Sequence, residues 1–322
     1  MSMPMTTARR LVELACNAPS VHNTQPWLWR IDGNQVRLHA DHRRQLPAED
    51  PDGRSLVISC GAALHQLQFA ARALGWTSEV ARTPRGDDPT LLAEVTFERG
   101  PASSQPVNDL AALRRRCTDR RRFTSWPVPD DILERLAGEA RTWSAAALPI
   151  TDLVSRFRLE LLSNEATMLR ESDPVAVGEQ TAWVDRSDHD GVPLKVLPRV
   201  EQNAPPEDRR NRFGPGLVPE TRTPVDGGDG VIVLGGRGDE TADWLRTGEA
   251  LSALWLRATR DGLSVVPLSL PVEIESIRFA MAESVLEGAF LPHLAVRIGW
   301  QAIGRTGLPR TPRRALDTVL LA

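Results

Sequence analysis

Ala18-Pro19-Ser20-Val21-His22-Asn23-Thr24-Gln25-Pro26-Trp27 lies between two strongly patterned segments and decides how the rest of the chain is read. Before it, Leu11, Leu14, Ala15 and Ala18 recur at helical spacing and predict a helix over about residues 7–17. After it, residues 27–31 and 35–39 flank Gly33-Asn34 and read as a hairpin. The stretch is therefore a helix-to-strand loop, stiffened by Pro19 and Pro26. Ser20, His22, Asn23 and Gln25 supply it with both hydrogen-bond donors and acceptors, which suits a heteroaromatic ring with polar edges. The same residues also suit a capped turn with Trp27 simply buried.

Further along, the pattern predicts a long helix over about 53–74, strands at 78–82 and 92–97, and a linker at 100–105. A second half begins near Pro106 with a short helix at 108–116, the basic run 114–123, and a helix at 130–141 after Pro127-Val128-Pro129. A strand near 150–154 and helical stretches to Trp183 follow. Residues 186–230 are rich in Pro, Gly, Asp and Arg, and a loop of that length is usually functional or disordered. Order returns with a strand at 231–234, a helix at 241–261, a strand at 263–268, a helix near 272–282, a strand at 294–298 and an arginine-containing tail.

The bulk numbers fit this division. A chain of 322 residues is long for one domain and suits two of about 150. With 41% hydrophobic and 25% charged residues it can bury a sizeable core, and its net charge of −3 gives no general pull toward nucleic acid or anionic membrane. Cys16, Cys60 and Cys117 form no paired spacing, which argues against a disulfide framework or a cysteine zinc site and fits a reducing cytoplasm. Neither a signal-peptide core nor an apolar run of spanning length occurs, so secretion and membrane insertion are not expected. Lys195 is the only lysine among 39 basic residues, a bias read as mostly genomic.

An internal repeat organises the two halves. Setting Gly61 against Gly248 pairs Ala63 with Ala250, Leu64 with Leu251, Leu67 with Leu254, Ala71 with Ala258 and Gly75 with Gly262. The first helix repeats too, with Leu11, Leu14, Ala15 and Ala18 against Leu133, Leu136, Ala137 and Ala140. The offset is 122 at the first helix (136 minus 14) and 187 at the second (248 minus 61), so the second copy carries about 65 extra residues, the 186–230 segment among them. A duplicated chain folds as two halves about a pseudo-two-fold axis, their shared crevice is a natural ligand site, and the insertion is placed to act as a lid.

Arg116-Cys117-Thr118-Asp119-Arg120, followed by Phe123 and Pro127-Val128-Pro129, is the second constellation. Six arginines in nine residues raise nucleic-acid binding as an alternative, but the surrounding sequence is acidic to neutral and tyrosine is absent throughout. Together the two constellations resemble the FMN-dependent nitroreductases. Residues 18–27 are similar to that family's APSxxNxQPW motif, and with histidine at position 22 they resemble its Acg-type branch. The resemblance implies flavin contacts from Ser20, Val21 and Asn23, with His22 shaping the site. It implies that Arg116, Thr118 and Arg120 hold the FMN phosphate, while Arg114, Arg115, Arg121 and Arg122 are solvated; one extra residue before Phe123 departs from the family pattern. Residues 262–270 resemble the strand and turn whose backbone approaches flavin N5, giving the Ser269 amide as donor with Pro267 and Leu270 beside it. Leucine stands at 270 where the family commonly has glycine. Thr311-Pro312-Arg313-Arg314 resembles the terminal basic segment, with Arg313 preferred over Arg314 for the phosphate.

In that family the arginine motif precedes one helix and the APS motif follows the same helix; here they are divided, and Arg141-Thr142-Trp143-Ser144 stands where the second copy would repeat the loop. One FMN per chain follows, with an α+β nitroreductase-like fold in two pseudo-symmetric halves, 1–105 and 106–322, the latter holding the insertion and a C-terminal arm. A single chain then serves as its own pseudo-dimer, and a monomer suffices. The resemblance implies an oxidoreductase carrying hydride from NAD(P)H to flavin and on to a nitroaromatic or quinone. A protein that stores or sequesters FMN is the alternative, and a pseudo-dimer that has lost its ligand is a third. Gly235-Gly236-Arg237-Gly238 is not a dinucleotide fingerprint, no Walker or GxSxG sequence exists, and the remaining histidines show no metal-ligand spacing, so no metal is expected.

Overall fold

The computed structural model describes residues 2–198, 228–301, 307 and 309–322. Among the described residues eight strands form two antiparallel sheets of four. In the first, β1 (Trp27–Asp32), β2 (Gln35–Ala40), β3 (Trp76–Arg82) and β4 (Leu91–Arg99) run in the order β1-β2-β4-β3. The second contains β5 (Ala146–Pro149), β6 (Gly230–Gly236), β7 (Leu263–Leu268) and β8 (Leu291–Trp300), in the order β5-β6-β8-β7. Each sheet thus repeats one strand order. The hairpin around Gly33-Asn34 forms as the alternating pattern predicts, closing with Asp32 opposite Gln35.

The helices between the sheets carry the core. Every residue of α2 (Arg54–Ala73) from Leu56 to Leu67 is buried, as is every residue of α7 (Thr241–Arg260) from Thr247 to Leu256. A helix buried all round must be packed on several sides. Here α1 (Met5–Ala15) covers α2, α4 (Asp130–Arg141) covers α7, and α2 and α7 cross each other. Glycine makes the crossing close. A Cβ on Gly61 would land on the Leu245 carbonyl, and one on Gly248 would land on the Ile58 carbonyl. The contact is reciprocal, since Gly61 pairs with Gly248 in the sequence repeat and Ile58 with Leu245. His65 and Ser252, another repeat pair, meet across the crossing at 2.9 Å. A contact in which residue i meets j and j meets i is the signature of a two-fold interface.

Three elements differ from the sequence reading. The strand expected at 150–154 lies at Ala146–Pro149, because Asp152 caps α5 (Leu153–Glu171), its carboxylate accepting from the Ser155 amide at 2.8 Å. The helix expected near 272–282 is split at extended Ile274 into α8 (Leu270–Glu273) and α9 (Glu275–Ser284). The insertion begins in order: after α6 (Pro174–Ala182), Val184 bridges Val192 and a helical turn spans Leu194–Val196. Its residues 199–227, and with them most of the expected lid, lie outside the described residues.

At the C-terminus, α3 (Pro106–Arg115) having already joined the halves, α10 (Leu316–Val319) returns the chain to the first sheet. Leu320 bridges Trp29, and the Leu321 amide donates to the Trp29 carbonyl at 2.7 Å. This anchorage brings residues 310–315 against the loop between α1 and β1. Among the described residues no helix is long and apolar enough to cross a membrane.

Candidate functional site

The loop between α1 and β1 is held in an unusual conformation. His22, Asn23 and Gln25 have φ of 45°, 56° and 50°, and each such left-handed residue with a Cβ costs about 1–2 kcal/mol. Contacts from distant elements offset that cost. The His22 imidazole Nε2 meets Glu49 Oε2 at 2.7 Å with both side chains buried, and the Val21 amide donates to Ser59 Oγ at 3.2 Å. Ser20 Oγ accepts from the Gln25 amide at 3.0 Å, and the Arg314 guanidinium donates to the Gln25 carbonyl at 3.0 Å.

Two arginines, Arg116 buried and Arg313 half-buried, converge on the start of this loop. Arg116, where α3 ends, and Arg313, on the C-terminal arm, each donate to the Asn17 carbonyl at 3.2 Å. Arg313 also donates to Asn23 Oδ1 at 3.0 Å, and the Arg116 guanidinium lies 4.7 Å from the centre of the Trp255 ring on α7. Neither arginine has a carboxylate partner among the described residues. Nε and Nη1 of Arg116 and Nε of Arg313 are buried and bond to nothing there. Burial, then repulsion from Arg313, pushes the Arg116 guanidinium down to about 9, and burial brings Arg313 to about 10. Both remain cationic at neutral pH. Arg313 spends Nη1 on Asn23, Thr311 and Pro312 and Nη2 on the Asn17 and Ala18 carbonyls, so its spare donor is Nε, whereas Arg116 keeps two; the adjacent cations lack an anion, and a doubly charged oxyanion would answer both deficits.

The structure thus brings Ser20, Val21, His22, Asn23, Arg116, Arg313 and Arg314 into one neighbourhood. Asn23 is bonded directly to Arg313, because the anchored C-terminal arm carries arginine across to the loop. Thr118 and Arg120 follow Arg116 and are half-buried. Arg121, expected in solvent, is buried instead, with Nε 2.8 Å and Nη2 2.6 Å from the Asp119 carboxylate. Arg114 and Arg115 are exposed and Arg122 is half-buried. Pro267 is the penultimate residue of β7, Ser269 caps α8 and Leu270 opens it; Arg54 of α2 donates to the Val272 carbonyl there. No group of three or more side chains suited to a metal occurs among the described residues.

The insertion also reaches the loop. Asn23 Nδ2 donates to the Gly191 carbonyl at 2.9 Å and to the Pro312 carbonyl at 3.1 Å. Gln25 Nε2 donates to the His189 carbonyl at 2.9 Å, and Arg44 pairs with Asp190 while bonding the Thr24 carbonyl.

A protein of Mycobacterium tuberculosis provisionally named NAD(P)H nitroreductase is 35% identical over 316 residues, covering 98% of this chain and 91% of the relative. A second from the same organism, provisionally named NAD(P)H nitroreductase acg, is 33% identical over 320 residues, covering 96% and 93%. The chain belongs to the Acg-type nitroreductases. Among solved structures, a provisionally assigned nitroreductase from Anabaena variabilis aligns with TM-score 0.50 at 9% identity, over 91% of this chain and 73% of that one, a likeness of fold. No family model matches.

Several members of the site in this Acg-type nitroreductase escaped sequence reasoning. Asn17 acts through its carbonyl, which any residue type would supply. Glu49 and Ser59 brace the loop from positions with no motif of their own, and Trp255 reads as one more apolar residue of α7. Only the polar character of Gln25 gave a signal.

Proposed function

We propose that this chain binds one FMN where its two halves, 1–105 and 106–322, meet, and that it is an NAD(P)H-dependent oxidoreductase acting on a nitroaromatic or quinone acceptor. The observation that carries this reading is the pair of adjacent, carboxylate-free guanidiniums, buried Arg116 and half-buried Arg313, beside the strained loop. Their orphaned donors fit a phosphate. Thr118, Arg120 and Arg314 would complete the phosphate end, Ser20, Val21, His22 and Asn23 would face the flavin from the first half, and the Ser269 amide would meet its ring between Pro267 and Leu270. When bound, the flavin supplies the two-electron redox chemistry, as the names of the relatives suggest. The protein contributes position, hydrogen bonds and exclusion of water. No side chain is required as a general acid.

The purified protein should be yellow with one phosphorus per chain, and NADPH or NADH should bleach it in a stopped-flow spectrometer. A colourless chain that takes up no added FMN would defeat flavin binding. A yellow chain that neither nucleotide bleaches would defeat the catalytic reading alone.

A second reading, FMN storage, is favoured by the turn at 187–191. Its carbonyls occupy the Asn23 and Gln25 amides, so the insertion covers the loop that would face the ring. Under that reading the flavin stays tightly held and turns over little.

A further inference from the structure

The repeat that places the arginine site also marks a second position. Ser20, Val21 and His22 pair with Thr142, Trp143 and Ser144 at the first offset, and Trp255 and Ser269 pair with Gln68 and Arg82 at the second. All five counterparts line one cavity of about 600 Å³. None of Asn17, Asn23, Arg116 or Arg313 reaches it. Such a volume lies within the range of small-molecule sites.

Its chemistry differs from that of the arginine site. The counterpart of Arg116 would fall before the first residue, so no arginine can come from that motif. Cations arrive from other positions: Arg72, Arg82, Arg246, Arg257 and Arg260 all line the cavity. Three are engaged. Arg82 grips the buried Glu249 carboxylate at 2.7 and 2.9 Å, Arg260 pairs with Asp109, and Arg257 lies 3.1 Å from Asp261. Arg72 and Arg246 have no carboxylate within ion-pair distance among the described residues; Arg246 lies in the field of Glu249, and Arg72 lies 5.9 Å from the centre of the Phe69 ring. Glu139 is the one carboxylate in the lining, and the balance stays positive.

Aromatic surface accompanies the charge. Trp143 is half-buried and stands edge-on to His65, ring centroids 4.5 Å apart, while Phe69 and Trp76 complete the apolar part of the wall. His65, Gln68, Thr142 and Ser144 add polar groups around it. Aromatic faces beside unspent guanidiniums bind a planar ring that bears an oxyanion: the ring stacks, and the forked donors take the anion.

We propose that this cavity is a second ligand site, for a planar aromatic ring carrying a phosphate and of nucleoside-monophosphate size, with Arg72 and Arg246 as its anion contacts and Trp143 as its stacking surface. The site does not depend on flavin binding at Arg116 and stands if that reading falls. The ligand needs no covalent step.

Isothermal titration of the full-length protein as purified, with adenosine 5′-monophosphate as probe, tests it. The nucleotide should bind at least tenfold more tightly than adenosine or inorganic phosphate offered separately, because each of those satisfies only one part of the site. The double variant Arg72→Ala/Arg246→Ala should weaken the nucleotide by roughly tenfold or more, the loss of one charge-assisted contact or better. Trp143→Ala should weaken it by about two- to tenfold. Flavin content should be unchanged in both variants, as these residues lie outside the arginine site. Arg246→Glu reverses the charge at a single half-buried position, so it should abolish binding even if the double variant folds poorly. Adenosine binding as well as the monophosphate, no heat up to millimolar nucleotide, or unaltered affinity in Arg246→Glu would each overturn the proposal.

Discussion

Two arginine-rich regions flank the crossing of α2 and α7, and they treat the same side chain in opposite ways. Buried Arg116 and half-buried Arg313 both donate to the Asn17 carbonyl, have no carboxylate among the described residues, and leave Nε of each and Nη1 of Arg116 unused. In the cavity wall Arg82, Arg257 and Arg260 are spent on Glu249, Asp261 and Asp109. A buried cation without a carboxylate is an expense that folding alone does not justify, so it marks a ligand. A cation already bonded to a carboxylate marks architecture, and only its unpaired neighbours are free to recognise anything.

The severest way to break the comparison is to separate the two helices that both regions depend on. Gly61→Val puts a branched side chain on the Leu245 carbonyl, where backbone rather than a movable side chain must yield. A loss of roughly 3–5 kcal/mol is expected, lowering the thermal midpoint by on the order of 10 °C. Gly248→Val should behave alike because its contact is the mirror of the first. If calorimetry found one tolerated and the other not, the reciprocal reading of the crossing would be wrong.

Next in size is the exchange of the arginines. Arg116→Ala with Arg313→Ala should weaken FMN by about a hundredfold or more, two charge-assisted contacts being lost. Arg260→Ala should leave flavin untouched yet destabilise the fold by about 1–3 kcal/mol, since Asp109 is buried and would lose its partner. The flavin-free form of Arg116→Met should melt higher than the flavin-free parent, because an unpaired buried charge has gone. Fluorescence of released flavin and thermal melts separate the two effects.

The comparison has a pH side as well. Burial, aided by Arg72 and Arg260, pushes the His65 imidazole in the cavity wall down to about 3, and burial pushes His293 down to about 4. A histidine so depressed resists protonation when folded but titrates near 6.5 when unfolded. Its contribution is complete above 6.5 and is lost as pH falls toward those lower values, at about 1.4 kcal/mol per pH unit and residue at most. Asp50, pushed up to about 6 by burial, acts in the opposite sense: its share is present below about 4 and disappears as pH rises through 6. The net curve is therefore a sum, and the difference between variants isolates one term. Urea midpoints of His65→Asn between pH 6.5 and 4.5 should show a slope smaller by one proton than the parent's; an identical slope would mean that His65 is already charged in the folded chain.

How much of this was legible beforehand depended on whether the physics was local. The hairpin at Gly33-Asn34 and the helical faces of α2 and α7 follow from periodicities within one segment, and the pairing of Gly61 with Gly248 from matching two such segments. The loop at 18–27 and the arginine at 116 were visible because a motif preserves spacing. Arg121 was misjudged because its partner, Asp119, sits two residues away in a run that looked uniformly basic, and the strand at 150–154 because Asp152 caps a helix just where the apolar stretch suggested continued pairing. The bracing of the loop by Glu49, and the sharing of the Asn17 carbonyl, depend on how distant segments meet, and no property of those residues alone announces it.

The smallest expected effect bears on what the arginine site is used for. Arg44 binds both the Thr24 carbonyl and Asp190, and its guanidinium lies 5.5 Å from the centre of the Trp183 ring, so it ties the turn at 187–191 to the strained loop. Arg44→Ala removes a half-buried ion pair, for which a loss of about 0.5–1 kcal/mol is expected, since its two side chains keep 18% and 12% of their exposure. That is enough to shift a closed-to-open balance by about two- to fivefold. If the turn covers a bound flavin, FMN release and reduction by NADPH should both accelerate by that factor, and Asp190→Asn should do the same from the other partner. Faster release with no gain in reduction favours storage, because opening the cover would then expose a flavin that the nucleotide still does not use. A variant with neither rate altered would show that the Asn23 and Gln25 contacts to residues 189 and 191 only stiffen the loop, and the storage reading would lose the observation that favours it.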